Sequence, residues 1–200
     1  MKKTLYIIVL MFIFGCGQDK RPILGDTEYQ KKVNAEFKDA TTSPLKEKDR
    51  QDFTGLDFFE FDSTYIVKTR LKRTPDETPF KMRTTTSRLP NYVKYGELTF
   101  DLKGDTYQLD VFQNLDIIEE EEYSDYLFLP FLDDTNGEDS YGGGRYVDTR
   151  QVEGSTMIID FNKAYNPYCA YNEKYSCPLV PRQNYVSTRI EAGVKAFDKH

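Results

Sequence analysis

The strongest constraint on how this chain folds is the run from Glu97 to Phe112, where apolar and polar residues alternate strictly on both sides of a glycine. Leu98, Phe100 and Leu102 alternate with Glu97, Thr99 and Asp101; Tyr107, Leu109 and Val111 alternate with Thr106, Gln108 and Asp110. A period of two places each apolar set on one face of a strand. A two-residue turn at Gly104-Asp105 predicts an antiparallel hairpin with Leu102 opposite Tyr107, Phe100 opposite Leu109 and Leu98 opposite Val111. Thr64–Leu71 alternates in the same way, whereas Tyr126–Phe131 is apolar on both sides and reads as a strand buried within the sheet.

Two further strands, Arg145–Arg150 and Ser155–Asp160, flank Gln151-Val152-Glu153-Gly154. Joined as a hairpin, they set Arg145 across from Asp160. Upstream, Thr27–Ala40 has helical spacing: Asp26 or Thr27 supplies an N-cap, Tyr29, Val33 and Phe37 recur every four residues, and Ser43-Pro44 closes the segment. The fold class is therefore mainly β (α+β): a twisted antiparallel sheet or partial barrel with an N-terminal helix packed on it. Only 38% of the residues are hydrophobic, but 14% are aromatic, so rings must carry much of the core.

The start of the chain reads as an export signal. Lys2 and Lys3 precede the apolar run Leu5–Phe14, which is too short to span a bilayer, and Ile13-Phe14-Gly15-Cys16 resembles a lipobox. That resemblance implies a diacylglycerol thioether and a further acyl chain such as palmitate on Cys16. The expected organisation is a lipoprotein signal peptide over 1–15, a polar tether over 16–25 and one domain over 26–200. The expected location is the bacterial cell envelope, at the outer membrane or periplasmic face. The expected partners are the membrane, through the lipid, and a small-molecule or envelope ligand. A formal net charge of −6 argues against nucleic acid.

The segment from Asp160 to Pro181 concentrates Tyr, Asn, Pro and Cys, a composition suited to a functional loop on a rigid scaffold. With Phe53-Thr54-Gly55-Leu56, Phe131–Thr135, Gly144-Arg145-Tyr146, Cys177-Pro178 and Asn184, it resembles the bacterial family catalogued as domain of unknown function 1684. The family carries no established activity to transfer. Its usual ending resembles Ile-x-Ala-Gly-Glu-Lys, where this chain has Ile190-Glu191-Ala192-Gly193-Val194-Lys195.

Cys169 and Cys177 form an even pair in an exported chain and are expected to form a disulfide. A single histidine, His200, removes Ser-His-Asp, Cys-His and Cys/His zinc chemistry, so no metal or cofactor is expected. Asp133–Asp139 lacks the Gly and Glu of a calcium loop. Candidate ligand-binding residues are Arg145, Tyr146, Asp160, Asn162, Tyr165, Asn166, Tyr168 and Tyr171. In that arrangement Arg145, Asp160 and Asn162 form a polar floor beneath the tyrosines, with Arg145 receiving an anionic group. Catalytic residues are not identified. A binding protein is the preferred reading; the alternatives are a purely structural lipoprotein and a hydrolase pairing Asp160 with Asp133 or Asp134.

Overall fold

The computed structural model describes residues 25–197; the signal peptide, Cys16 and most of the tether lie outside them. The elements in chain order are α1 (Glu28–Lys38), α2 (Glu47–Gln51), β1 (Ile66–Arg73), β2 (Phe80–Lys81), β3 (Asn91–Leu102), β4 (Asp105–Asn114), β5 (Tyr126–Asp133), β6 (Arg145–Arg150), β7 (Thr156–Asp160) and β8 (Tyr185–Val186). The sheet runs β6-β5-β4-β3-β1-β7, with β2 added to β3 and β8 added in parallel to β5. It curls into a half-barrel whose two ends approach without hydrogen-bonding, so the expected fold class is observed.

The β3–β4 hairpin forms, but its turn is Lys103-Gly104. Both residues have positive φ, 54° and 95°, the backbone of a two-residue turn that matches strand twist. Leu102 therefore faces Asp105, Phe100 faces Tyr107 and Leu98 faces Leu109. Relative to the sequence reading, every pairing moves by two residues, an even number, so the same side chains still face inward.

The expected β6–β7 hairpin does not form. β6 pairs with β5, which sets Arg145 against Phe131, and β7 pairs with β1, which sets Asp160 against Ile66. Arg145 instead meets Asp133, Nη2 to Oδ1 at 3.0 Å, with both side chains fully buried. The guanidinium also donates to the carbonyls of Ile190 and Ala192 and to Thr135 Oγ1, and lies over the rings of Phe59 and Phe131. Asp133 Oδ2 accepts from the backbone N–H groups of Thr135 and Ile190. This network ties β5, β6 and the Ile190–Val194 segment together. Asp160 caps the short turn Phe161–Lys163 by accepting from Asn162 N, and Asn162 Nδ2 donates to the Asp62 carbonyl.

Alternation distributes the apolar residues. Leu127, Leu129, Phe131 and Val147 face the barrel interior with Leu98, Leu109, Val111, Met157 and Ile159, while Phe128 and Tyr146 face the opposite side with Tyr92, Phe112 and Met82. β5 is apolar on both faces because each face has its own cluster. Pro130 has no N–H to give to the β4–β5 ladder. Fully buried Asn184 fills the place: its Oδ1 accepts from Asp110 N, and its Nδ2 donates to the carbonyls of Asp110 and Pro130.

α1 starts with a capping box: Thr27 Oγ1 accepts from Gln30 N, and the Gln30 side chain accepts from Thr27 N. Its Phe37 and Val33 pack with Phe53, Leu56, Tyr171 and Val194 in a further cluster. Gly193 lets that last segment close. Its φ is +79°, and a Cβ there would lie 2.4 Å from the Ala164 carbonyl oxygen.

Candidate functional site

The outward face of β3, β5 and β6 is the floor of an open cleft of about 720 Å³. α1 forms one wall through Tyr29, Val33 and Phe37; Tyr165, Tyr168 and Tyr171 form another; Tyr123, Arg88 and Ser176 also line the cleft. Strand periodicity brings Tyr126 and Phe128 of β5 beside Tyr146 and Asp148 of β6, and Tyr92 of β3 stacks obliquely on Phe128 with centroids 5.8 Å apart. The rings interlock edge to face, with Phe128–Tyr146 at 4.7 Å, Tyr146–Tyr165 at 5.7 Å and Phe37–Tyr171 at 4.9 Å. Such contacts fix ring orientation as well as burying area.

Asp148 is the polar centre. Its Oδ1 accepts from the hydroxyls of Tyr126 at 2.7 Å and Tyr165 at 2.6 Å, while the residue as a whole remains exposed. Burial first, then the Asp148 charge, holds the hydroxyls of Tyr29, Tyr126 and Tyr165 above the ordinary phenol range. Burial pushes Tyr92 up to about 12, with Arg88 opposing. These phenols stay protonated at neutral pH, so they serve as hydrogen-bonding groups and π faces rather than as bases. Beneath them, Asn166 Nδ2 donates to the Lys195 carbonyl, and the buried Tyr171 hydroxyl and Asn166 Oδ1 complete no hydrogen bond of good geometry.

Of the residues singled out in the sequence, Tyr146, Tyr165, Asn166, Tyr168 and Tyr171 line this cleft; Arg145, Asp160 and Asn162 do not. The polar floor expected from those three is replaced by Asp148, which the sequence reading missed. Alternation within Arg145–Arg150 carries the signal: Tyr146, Asp148 and Arg150 share one face, and Arg145 takes the other.

The expected disulfide is absent. Cys169 and Cys177 are free thiols, with Cys169 N–H donating to Cys177 Sγ at 3.1 Å. Hydrogen bonding from the Cys177 thiol, then from Thr85 and Tyr141, pulls the Cys169 thiol down to about 6. The same contact and burial push Cys177 up. Cys169 is thus the more acidic thiol of the pair. Among the described residues no group of three or more His, Cys, Asp or Glu side chains is placed to hold a metal ion, and no helix is long and apolar enough to cross a membrane.

A family described as Protein of unknown function (DUF1684) matches residues 51–195. The chain belongs to that family. The region that matches DUF1684 contains the cleft floor and the Tyr165–Tyr171 wall but stops short of α1, so Tyr29, Val33 and Phe37 come from outside it. The chain is also similar to the solution NMR structure of an uncharacterized protein from Haloarcula marismortui, with 32% identity and a TM-score of 0.67 over 86% of this chain and 92% of that one. No curated protein matches.

Proposed function

We propose that this DUF1684 protein is a binding protein that takes a small polar organic molecule in the tyrosine-lined cleft and is held at the cell envelope by lipid on Cys16. The observation that carries the binding reading is Asp148 at the centre of the cleft, one oxygen fixed by Tyr126 and Tyr165 amid interlocked aromatic rings. A volume of about 720 Å³ suits a metabolite-sized ligand, and a mostly aromatic lining with few convergent polar groups is the usual make-up of such sites. The carboxylates considered for hydrolysis are engaged outside the cleft: Asp133 binds Arg145 in the core, Asp134 accepts from the Tyr185 hydroxyl, and Asp160 caps a turn.

The test is a ligand-induced thermal-shift screen of the full chain in mild detergent against small polar metabolites, with Tyr168→Ala in parallel. A ligand that binds only the native state raises the apparent Tm. Hits abolished by Tyr168→Ala support the reading; no hits, or hits indifferent to that substitution, overturn it. The anchor is tested by Cys16→Ser, which should move the protein from the membrane to the soluble fraction. Retention in the membrane overturns the lipid attachment.

A further inference from the structure

We propose that the ligand class is a small organic ammonium, its charge seated on the open edge of Asp148 and its apolar body against the surrounding tyrosine and phenylalanine rings. This rests on the reading of the cleft as a binding site.

Both phenols donate to the same oxygen of Asp148, and no described residue hydrogen-bonds to Oδ2. No lysine or arginine among the described residues lies within 4.0 Å of the carboxylate. The ion pairs nearby are formed elsewhere: Arg150 binds Asp125 at 2.6 Å, and Lys32, largely exposed, leans toward Glu36 at 3.8 Å. Arg88, also in the lining, is held by the carbonyl and hydroxyl of Ser176. A carboxylate on an aromatic floor with no cation paired to it is built to receive one.

The field on the wall tyrosines Tyr29, Tyr165 and Tyr168 has the same sign, whereas at Tyr92 on the floor Arg88 opposes it. The strongest charges acting on Tyr29 are Asp148, Glu36 and Asp160, those on Tyr168 include Glu36 and Asp148, and Asp148 leads for Tyr165; no cation stands among them. Phenol faces are negative, and an ammonium held within about 6 Å of a ring centroid gains from each. An anionic ligand would meet Asp148 head-on, and a neutral one would gain from the rings but not from the charge.

The test is titration calorimetry of the full chain with three probes of matched shape: phenethylammonium, phenethyl alcohol and 3-phenylpropionate. The ammonium should bind at least tenfold more tightly than the alcohol, with the carboxylate weakest. Raising salt should weaken the ammonium alone. Asp148→Asn should bring the ammonium down to the alcohol. The wild-type charge order and salt response decide the matter even if that variant folds poorly. If the alcohol or the carboxylate binds as well as the ammonium, and Tyr168→Ala weakens all of them, the cation class is overturned and the cleft reading stands. If no probe binds, or none responds to Tyr168→Ala, both are overturned.

Discussion

Replacing Asp133 by Asn should be among the most damaging single changes in the protein, whereas the same change at Asp160 should be nearly silent. Asp133 Oδ1 sits 3.0 Å from Arg145 Nη2 with neither side chain exposed, so Asp133→Asn leaves a guanidinium buried without a counter-charge. Breaking a buried pair from one side costs about 3–5 kcal/mol. Arg145 keeps its bonds to the Ile190 and Ala192 carbonyls and to Thr135, which places the cost near the lower end, about 3 kcal/mol. Against a total stability of roughly 5–15 kcal/mol, that is a large fraction. Asp160 is partly exposed and lies 3.6 Å from Lys163, and Asn preserves an acceptor for Asn162 N–H, so Asp160→Asn should cost under about 1 kcal/mol. Urea unfolding with an unchanged m-value reads both. The paired change Asp133→Leu with Arg145→Met should be less damaging than Asp133→Asn alone, because no buried charge is stranded. Equal losses for Asp133→Asn and Asp160→Asn, or a loss under about 1 kcal/mol for the former, would refute the assignment of Arg145 to Asp133.

Three other outcomes follow from the geometry. Gly193→Ala should lose more than about 2 kcal/mol in denaturant titration, since the added methyl lands 2.4 Å from a carbonyl oxygen; Gly104→Ala, with open space around it, should lose about 1 kcal/mol. Asn184→Ala strands Asp110 N–H and the Asp110 and Pro130 carbonyls and should cost about 3 kcal/mol or more by the same measurement. Thiolate is the reactive form of cysteine, so iodoacetamide labelling of Cys169 in unreduced protein should rise as pH passes about 6, while Cys177 stays unlabelled at pH 7. Mass spectrometry that finds an intact bridge, or equal labelling at pH 7, contradicts the free-thiol arrangement.

Local signals in the chain were legible. The N-cap at Thr27, the alternation on both sides of Gly104 and the Arg145–Arg150 strand all appear close to where the residues place them. The turn slipped by one residue because Gly104 fits either central position, and only the positive φ of Lys103 decides between them. Arg145's partner was not legible. Neighbouring strands in sequence were paired as a hairpin, but β6 and β7 end on opposite edges of the sheet, and Asp133 reaches Arg145 across a loop of eleven residues. The cleft was half legible: the Asp160–Pro181 composition pointed to its tyrosine wall, while Asp148 shares a strand with Arg145 and was overshadowed by it. Cys169 and Cys177 show why an even count is weak evidence of a bridge, since nearness in sequence fixes neither sulfur separation nor direction.

The alternation of β5 and β6 also bears on how this protein can change over time. Leu127, Leu129, Phe131, Arg145 and Val147 answer to the interior, and Tyr126, Phe128, Tyr146 and Asp148 answer to the cleft, so the two sets can mutate under separate selection. Exposed Asp148 can be exchanged without disturbing the barrel, whereas Phe128 and Tyr146 are held by their own buried cluster with Met82, Tyr92 and Phe112. A one-residue slip in the register of β6 is a different matter: it would turn Asp148 inward and Arg145 outward together. Substitutions should therefore outnumber insertions and deletions within these two strands.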